Sequence, residues 1–184
     1  MITRIAVSTM GVYNGSFEHG KRHGFSKFTW PTGDTYEGQW VDDARQGKGK
    51  YFWPDGNRHE GTFVQGMITG FGKRYCANGQ RYEGEWLNEK MHGKGKYFWP
   101  DGARHEGTFV EDMFTGFGKR CFANGDRYEG EWLNDKMHGS GTMHLSGTQT
   151  RHHVFRGLKY RHGKLLNPVT IELPDGSTST LKAD

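Results

Sequence analysis

The chain reads as an all-β protein: an elongated, single-layer antiparallel meander of 23-residue β-hairpin repeats with about fourteen short strands. Three observations predict it. Tyr36, His59, Tyr82, His105 and Tyr128 stand 23 residues apart, and Tyr13 opens the series one step earlier. Each is followed two residues later by a glycine and two further on by an aromatic: Phe17, Trp40, Phe63, Trp86, Phe109, Trp132 and, in a degraded seventh copy, Phe155. A glycine pair then returns once per copy, from Gly47/Gly49 to Gly139/Gly141, and triplets such as Pro54-Asp55-Gly56 and Ala77-Asn78-Gly79 punctuate the copies. Proline pre-sets a turn dihedral, Asp or Asn bonds locally, and glycine supplies positive φ.

Taken in order, Ile2–Val7 forms an edge-capping segment within residues 1–12, ahead of the repeat array at 13–164. Within a copy, Tyr36-Glu37-Gly38-Gln39-Trp40 alternates strictly, so the rings and the glycine share one strand face and the polar residues the other. A six-residue connection, Val41 to Gln46, should lead to a second strand in which Gly47, Gly49, Tyr51 and Trp53 oppose Lys48, Lys50 and Phe52. The column Glu37, Glu60, Glu83, Glu106, Glu129 can face the column Lys50, Lys73, Lys96, Lys119 across the strands. Glycines leave room for rings to lie across the backbone. The repeat is nested, because residues 47–92 and 93–138 differ at only eight of 46 positions, so two variants of the unit alternate. Residues 165–184 supply one more hairpin, Val169–Leu173 and Ser177–Leu181 about Pro174-Asp175-Gly176, as a C-terminal cap.

Composition fits a thin, ring-filled core. Twelve Phe, eight Tyr and six Trp outnumber the nineteen Val, Ile and Leu residues, while a net charge of only +4 argues against disorder. No apolar run reaches the roughly 18 residues of a membrane span, and Met1 to Gly11 lacks a signal-peptide pattern. Cys76 and Cys121 fall on opposite strand faces two repeats apart, so they should be free thiols, which suits an intracellular compartment.

Tyr82-Glu83-Gly84-Glu85-Trp86 followed by His92-Gly93-Lys94-Gly95 resembles the MORN (membrane occupation and recognition nexus) repeat. Copies starting at 36, 82 and 128 match its pattern best; those at 59 and 105 carry His and Phe in place of Tyr and Trp, and the copy at 13 has Ser26 for the second glycine of the pair. The resemblance covers residues 13–164. It implies a hairpin array with a cytoplasmic, cytoskeleton-associated scaffolding role, often at a cilium or flagellum, and in some members association with phospholipids.

Enzymatic readings find little support. The stretch from Gly15 to Arg22 has Arg where a phosphate-binding loop needs Ser or Thr, and it lacks a following helix. His92 and His138 are two repeats apart, too far to share one metal ion. Repeat-equivalent glutamates would have like environments, which does not make an acid/base pair. No catalytic residue, metal or cofactor is therefore expected. The aromatic face is the stronger candidate: a single layer cannot bury both sides, so a strip of rings should stay accessible and bind a partner protein. The expected groove comprises Tyr36, Trp40, Trp53, Phe63, Tyr82, Trp86, Trp99, Phe109, Tyr128 and Trp132. The alternative is an anionic partner, a phospholipid above all and nucleic acid least, at Arg151, Arg156, Lys159, Arg161 and Lys164. Lys136 to Ile171 contains no acid, although edge protection is the simpler explanation of that charge. Exposed sheet edges would also permit homo-oligomers.

Overall fold

The computed structural model describes residues 2–146, 152–172 and 177–183. Fifteen strands follow one another in chain order as an antiparallel meander, and two more form a separate hairpin. The chain divides into two compact units, Met1–His92 and Gly93–Asp184. The first holds β1 (Ile2–Ser8), β2 (Gly11–Glu18), β3 (Lys21–Thr29), β4 (Thr35–Val41), β5 (Ala44–Phe52), β6 (Arg58–Val64), β7 (Met67–Tyr75) and β8 (Arg81–Leu87). After β9 (Lys90–Phe98), the second holds β10 (Arg104–Val110), β11 (Met113–Cys121), β12 (Arg127–Leu133), β13 (Lys136–Ser146), β14 (His152–Arg161) and β15 (Lys164–Leu165). The separate hairpin is β16 (Val169–Glu172) with β17 (Thr178–Leu181). Its expected turn, Pro174-Asp175-Gly176, lies outside the described residues.

The six-residue connection expected between the two strands of a copy is not there. Val41 pairs directly with Ala44, and the turn is Asp42-Asp43 alone, at φ 47° and 70°. Positive φ at both central residues is the mark of a two-residue hairpin turn whose twist matches its strands. The rest of the supposed loop is absorbed by a bulge. Pairing steps from Gly38↔Gly49 to Trp40↔Arg45, so Gln39 faces Gln46, Gly47 and Lys48 together. Gly47 sits at φ 70°, which a side chain would disfavour. At the other end of each hairpin a five-residue loop closes by Gly56 N–H donating to Trp53 O (3.1 Å), with Asn57 N–H donating to Asp55 Oδ1 (2.9 Å).

The expected charge columns are present. Tyr36 pairs with Tyr51 and Gly38 with Gly49 on one face, while Glu37 pairs with Lys50 on the other. Each lysine forms its ion pair with the glutamate of the following copy: Lys27–Glu37 at 2.7 Å, Lys50–Glu60 at 3.4 Å, Lys73–Glu83 at 3.4 Å, Lys96–Glu106 at 3.2 Å and Lys119–Glu129 at 3.2 Å. Such half-exposed pairs contribute only about 0.2–1 kcal/mol each, enough to favour one register over a slipped one.

Candidate functional site

The core lies on the ring face. Tyr36 meets Trp40 edge-on at 5.3 Å and Phe63 at 5.0 Å between centroids. Glycine makes the room: a Cβ on Gly49 would come within 2.5 Å of Tyr36 Cε2, and one on Gly72 within 2.7 Å of His59 Cε1. The tyrosine hydroxyls reach over these glycines to donate to backbone carbonyls, Tyr36 to Gln39 O (3.1 Å) and Tyr82 to Glu85 O (2.9 Å). In the copy at 13, the Ser26 hydroxyl shares a 2.5 Å hydrogen bond with Tyr13.

The expectation of an accessible strip fails for most of its members. Tyr36, Trp40, Phe63, Tyr82, Trp86, Phe109, Tyr128 and Trp132 are all buried, none more than 5% exposed. The cover comes from the second strand of each hairpin, not from a second layer. Arg22 lies 4.3 Å over the Trp40 ring and Arg74 4.7 Å over Trp86, and Ile68, opposite Phe63 in the register, is itself buried. In the second unit Phe114 packs 6.1 Å from Trp132 and stacks on His105 at 4.1 Å. Long side chains on a single sheet can therefore roof the rings of neighbouring strands. Of the ten groove residues, Trp53 and Trp99 alone stay half-exposed. In the first unit Trp53 joins Tyr51 (4.6 Å) and Trp30, with Arg45 5.1 Å above Tyr51 and Arg74 4.8 Å above Trp53. In the second unit Trp99 lies 4.7 Å from Tyr97, under Arg120 at 4.2 Å.

Two histidines replace tyrosine in this core. His59 and His105 are 0% and 1% exposed, and neither ring nitrogen of either has a hydrogen-bond partner. Burial, reinforced by the nearby Arg74 and Arg120 charges, pushes their pKa values down to about 3 and about 4. Both are neutral at pH 7.

The opposite face carries a feature that the sequence reading missed. Phe25, Phe71 and Phe117 are 75%, 55% and 66% exposed. Each stands between the two members of a glycine (or Gly-Ser) pair, in line with the lysines, and they recur every 46 residues. Of the basic strip, Arg156, Lys159, Arg161 and Lys164 are exposed, and Arg161 pairs in register with Lys164; Arg151 lies outside the described residues. Lys159 and Arg161 alternate with buried Leu158 and Tyr160, so they point away from the core. The Gly15–Arg22 stretch is a strand, the His19-Gly20 turn and the next strand. Cys76 and Cys121 are free thiols. Among the described residues no three His, Cys, Asp or Glu side chains gather where they could hold a metal ion, and no helix is long and apolar enough to cross a membrane.

Comparison with solved structures returns the SAS-4 (dCPAP) TCP domain of Drosophila melanogaster, in complex with a proline-rich motif of Ana2 (dSTIL). It is 13% identical, covering 97% of this chain and 88% of that one, at a TM-score of 0.48. The CPAP G-box domain is 13% identical, covering 97% of each chain, at a TM-score of 0.43. The TCP10 domain of Danio rerio CPAP with a STIL peptide is 12% identical, covering 98% and 84%, at a TM-score of 0.34. Likeness at that level carries no argument about function. No curated protein matches the sequence. The MORN-repeat family model, by contrast, matches six consecutive segments, 13–35, 36–58, 59–81, 82–104, 105–127 and 128–147, each starting where the Tyr/His periodicity starts a copy. With more than half of its length matched, the chain belongs to the MORN-repeat family.

Proposed function

We propose that the chain is a non-enzymatic scaffold that binds partner proteins, as a structural subunit of a cytoskeletal, ciliary or flagellar assembly. The observation that carries the binding role is the half-exposed row of Trp30, Tyr51 and Trp53 beneath Arg45 and Arg74, with Tyr97 and Trp99 beneath Arg120 as its counterpart in the second unit. Flat rings edged by guanidinium groups give large contact area at low entropy cost, and their arginines favour carboxylate-bearing partners. The buried rings Tyr36, Trp40, Phe63 and Trp86 serve as the floor that holds this row in place. The glutamates recur in like, lysine-paired environments and supply no separated acid and base. Membership of the MORN-repeat family supports this choice of assembly.

Affinity purification with mass spectrometry tests the reading, comparing the wild-type chain with Trp30→Ala/Trp53→Ala and with Trp99→Ala. Partners that vanish with these variants, while the melting temperature holds, support the surface; an unchanged partner set removes it. A tagged chain that stays diffuse in ciliated cells removes the proposed location. The exposed Arg156, Lys159, Arg161 and Lys164 favour a second reading, peripheral attachment to anionic phospholipid. Sedimentation with anionic vesicles at low salt, lost at high salt, is its signature, and no sedimentation at low salt rules it out.

A further inference from the structure

The charged face of the first unit contains a cleft that the aromatic-face reading leaves unused. Its two ends are Phe25 in β3 and Phe71 in β7, the most exposed aromatic side chains of that unit among the described residues. They stand four strands apart, about 19 Å at ordinary strand spacing. Between them the floor is bare backbone at Gly49, Gly61 and Gly72, and the hollow measures ≈ 410 Å³. The glycines are needed for the rings on the other side, as a Cβ on Gly61 would come within 2.6 Å of His59 Nε2. Because the glycines face the rings, the floor of the hollow is backbone whatever residue stands there. The ring packing does not account for two phenylalanines at the rim of a face that carries the Lys–Glu ion pairs, where nothing among the described residues of the unit covers them.

The charges around the hollow are not balanced. Lys27, Lys50 and Lys73 each hold a glutamate within 3.4 Å. Lys48 is the exception. It is exposed, it sits in the strand midway between the two phenylalanines, and among the described residues its ammonium reaches only the Thr62 hydroxyl, at 2.8 Å. Lys48, Lys50 and Lys73 line the hollow against Glu37 and Glu60, an excess of one positive charge. A ligand that suits this place carries an apolar group for the hollow and an anionic group for Lys48. A second copy of the chain offers on this face Glu37, Glu60 and Glu83, whose carboxylates are already held by its own lysines.

We propose that the cleft between Phe25 and Phe71 is a docking site for an acidic segment of a partner protein, an apolar side chain filling the hollow and a neighbouring carboxylate pairing with Lys48. The site is on the sheet face opposite the Trp30, Tyr51 and Trp53 row, so it is independent of that row. Such a ligand gains contact area from the two rings and orientation from Lys48, whose ammonium holds no carboxylate among the described residues.

The test uses the full chain and a phage-displayed library of random dodecapeptides, counter-selected on the Phe25→Ser/Phe71→Ser variant. Peptides combining an apolar residue with a nearby Asp or Glu are expected to enrich. A labelled copy of the best one, followed by fluorescence anisotropy, should lose about tenfold in affinity with Phe71→Ser, with Lys48→Glu, and when its own acid becomes an amide, while Trp53→Ala leaves it unchanged. Lys48→Glu alters only a surface charge, so it keeps the test decisive even if the serine variants fold poorly. Failure to enrich any peptide overturns the proposal, as does enrichment of peptides without an acid. Binding that responds to Trp53→Ala and not to Phe71→Ser moves the site to the aromatic face. A dimer by light scattering that Phe71→Ser dissolves makes a second copy the occupant, which also overturns it.

Discussion

Copies built on tyrosine and copies built on histidine solve the same packing problem differently. Tyr36, Tyr82 and Tyr128 fill the space over a glycine pair and send their hydroxyls to the carbonyls of Gln39, Glu85 and Glu131. His59 and His105 occupy the equivalent space, meet Trp86 and Trp132 edge-on at 4.9 Å, and leave both ring nitrogens without a partner. The tyrosine rings are held by packing plus a hydrogen bond. The histidine rings are held by packing alone, and only while they stay uncharged. Two of the six copies, those at His59 and His105, are thereby conditional on pH.

Acidification should separate them most strongly. Both histidine pKa values, about 3 and about 4, lie below the ordinary 6.5. Their contribution is therefore fully present above about pH 6.5 and is lost as the pH falls toward those folded values. Between pH 7 and pH 5 the loss amounts to about 2 kcal/mol for each histidine, about 4 in all. Urea titrations across that range measure it, and His59→Phe should remove close to half of the slope. A slope that His59→Phe leaves intact would mean that the histidines are not its source.

Alanine in the glycine pairs should give the next largest effect. The Cβ of Gly49→Ala would meet the Tyr36 ring, which its hydroxyl bond to Gln39 O keeps from retreating; this should cost about 3 kcal/mol. Gly61→Ala meets the untethered His59 ring at 2.6 Å and should cost less, about 2 kcal/mol. Thermal unfolding of the two variants checks the order, and equal losses would show that tethering is irrelevant. The smallest effect is expected from Tyr82→Phe, which removes the hydroxyl's 2.9 Å bond to Glu85 O and its longer one to His92 O (3.4 Å), at about 1 kcal/mol.

Much of this was legible in the residues. Strict alternation at 36–40 fixed which side chains share a face, and the Glu and Lys columns announced the register that the ion pairs then confirm. The connection at Val41 to Gln46 was misread because Asp42 and Asp43 adopt positive φ without being glycine, and because Gly47 looks like a loop residue while serving as a bulge inside a strand. Ring burial was misjudged for a different reason. Counting layers ignores the length of arginine, and Arg22 and Arg74 reach across strands to roof their neighbours' indoles. The exposed phenylalanines escaped notice since they follow the 46-residue period, and a search at 23 residues averages Phe71 with Lys48 and Lys94.

That doubled period has an outcome for how the array can change in length. If residues 47–92 were excised, Gln46 would join Gly93, and the run Gly93 to Trp99 that follows is letter for letter the run Gly47 to Trp53. Each remaining strand would meet the neighbour sequence it already knows, with turn, bulge and ion pair intact. Lengthening works the same way, so a change of length that keeps every strand beside a familiar neighbour comes two hairpins at a time: one tyrosine copy and one histidine copy travelling together.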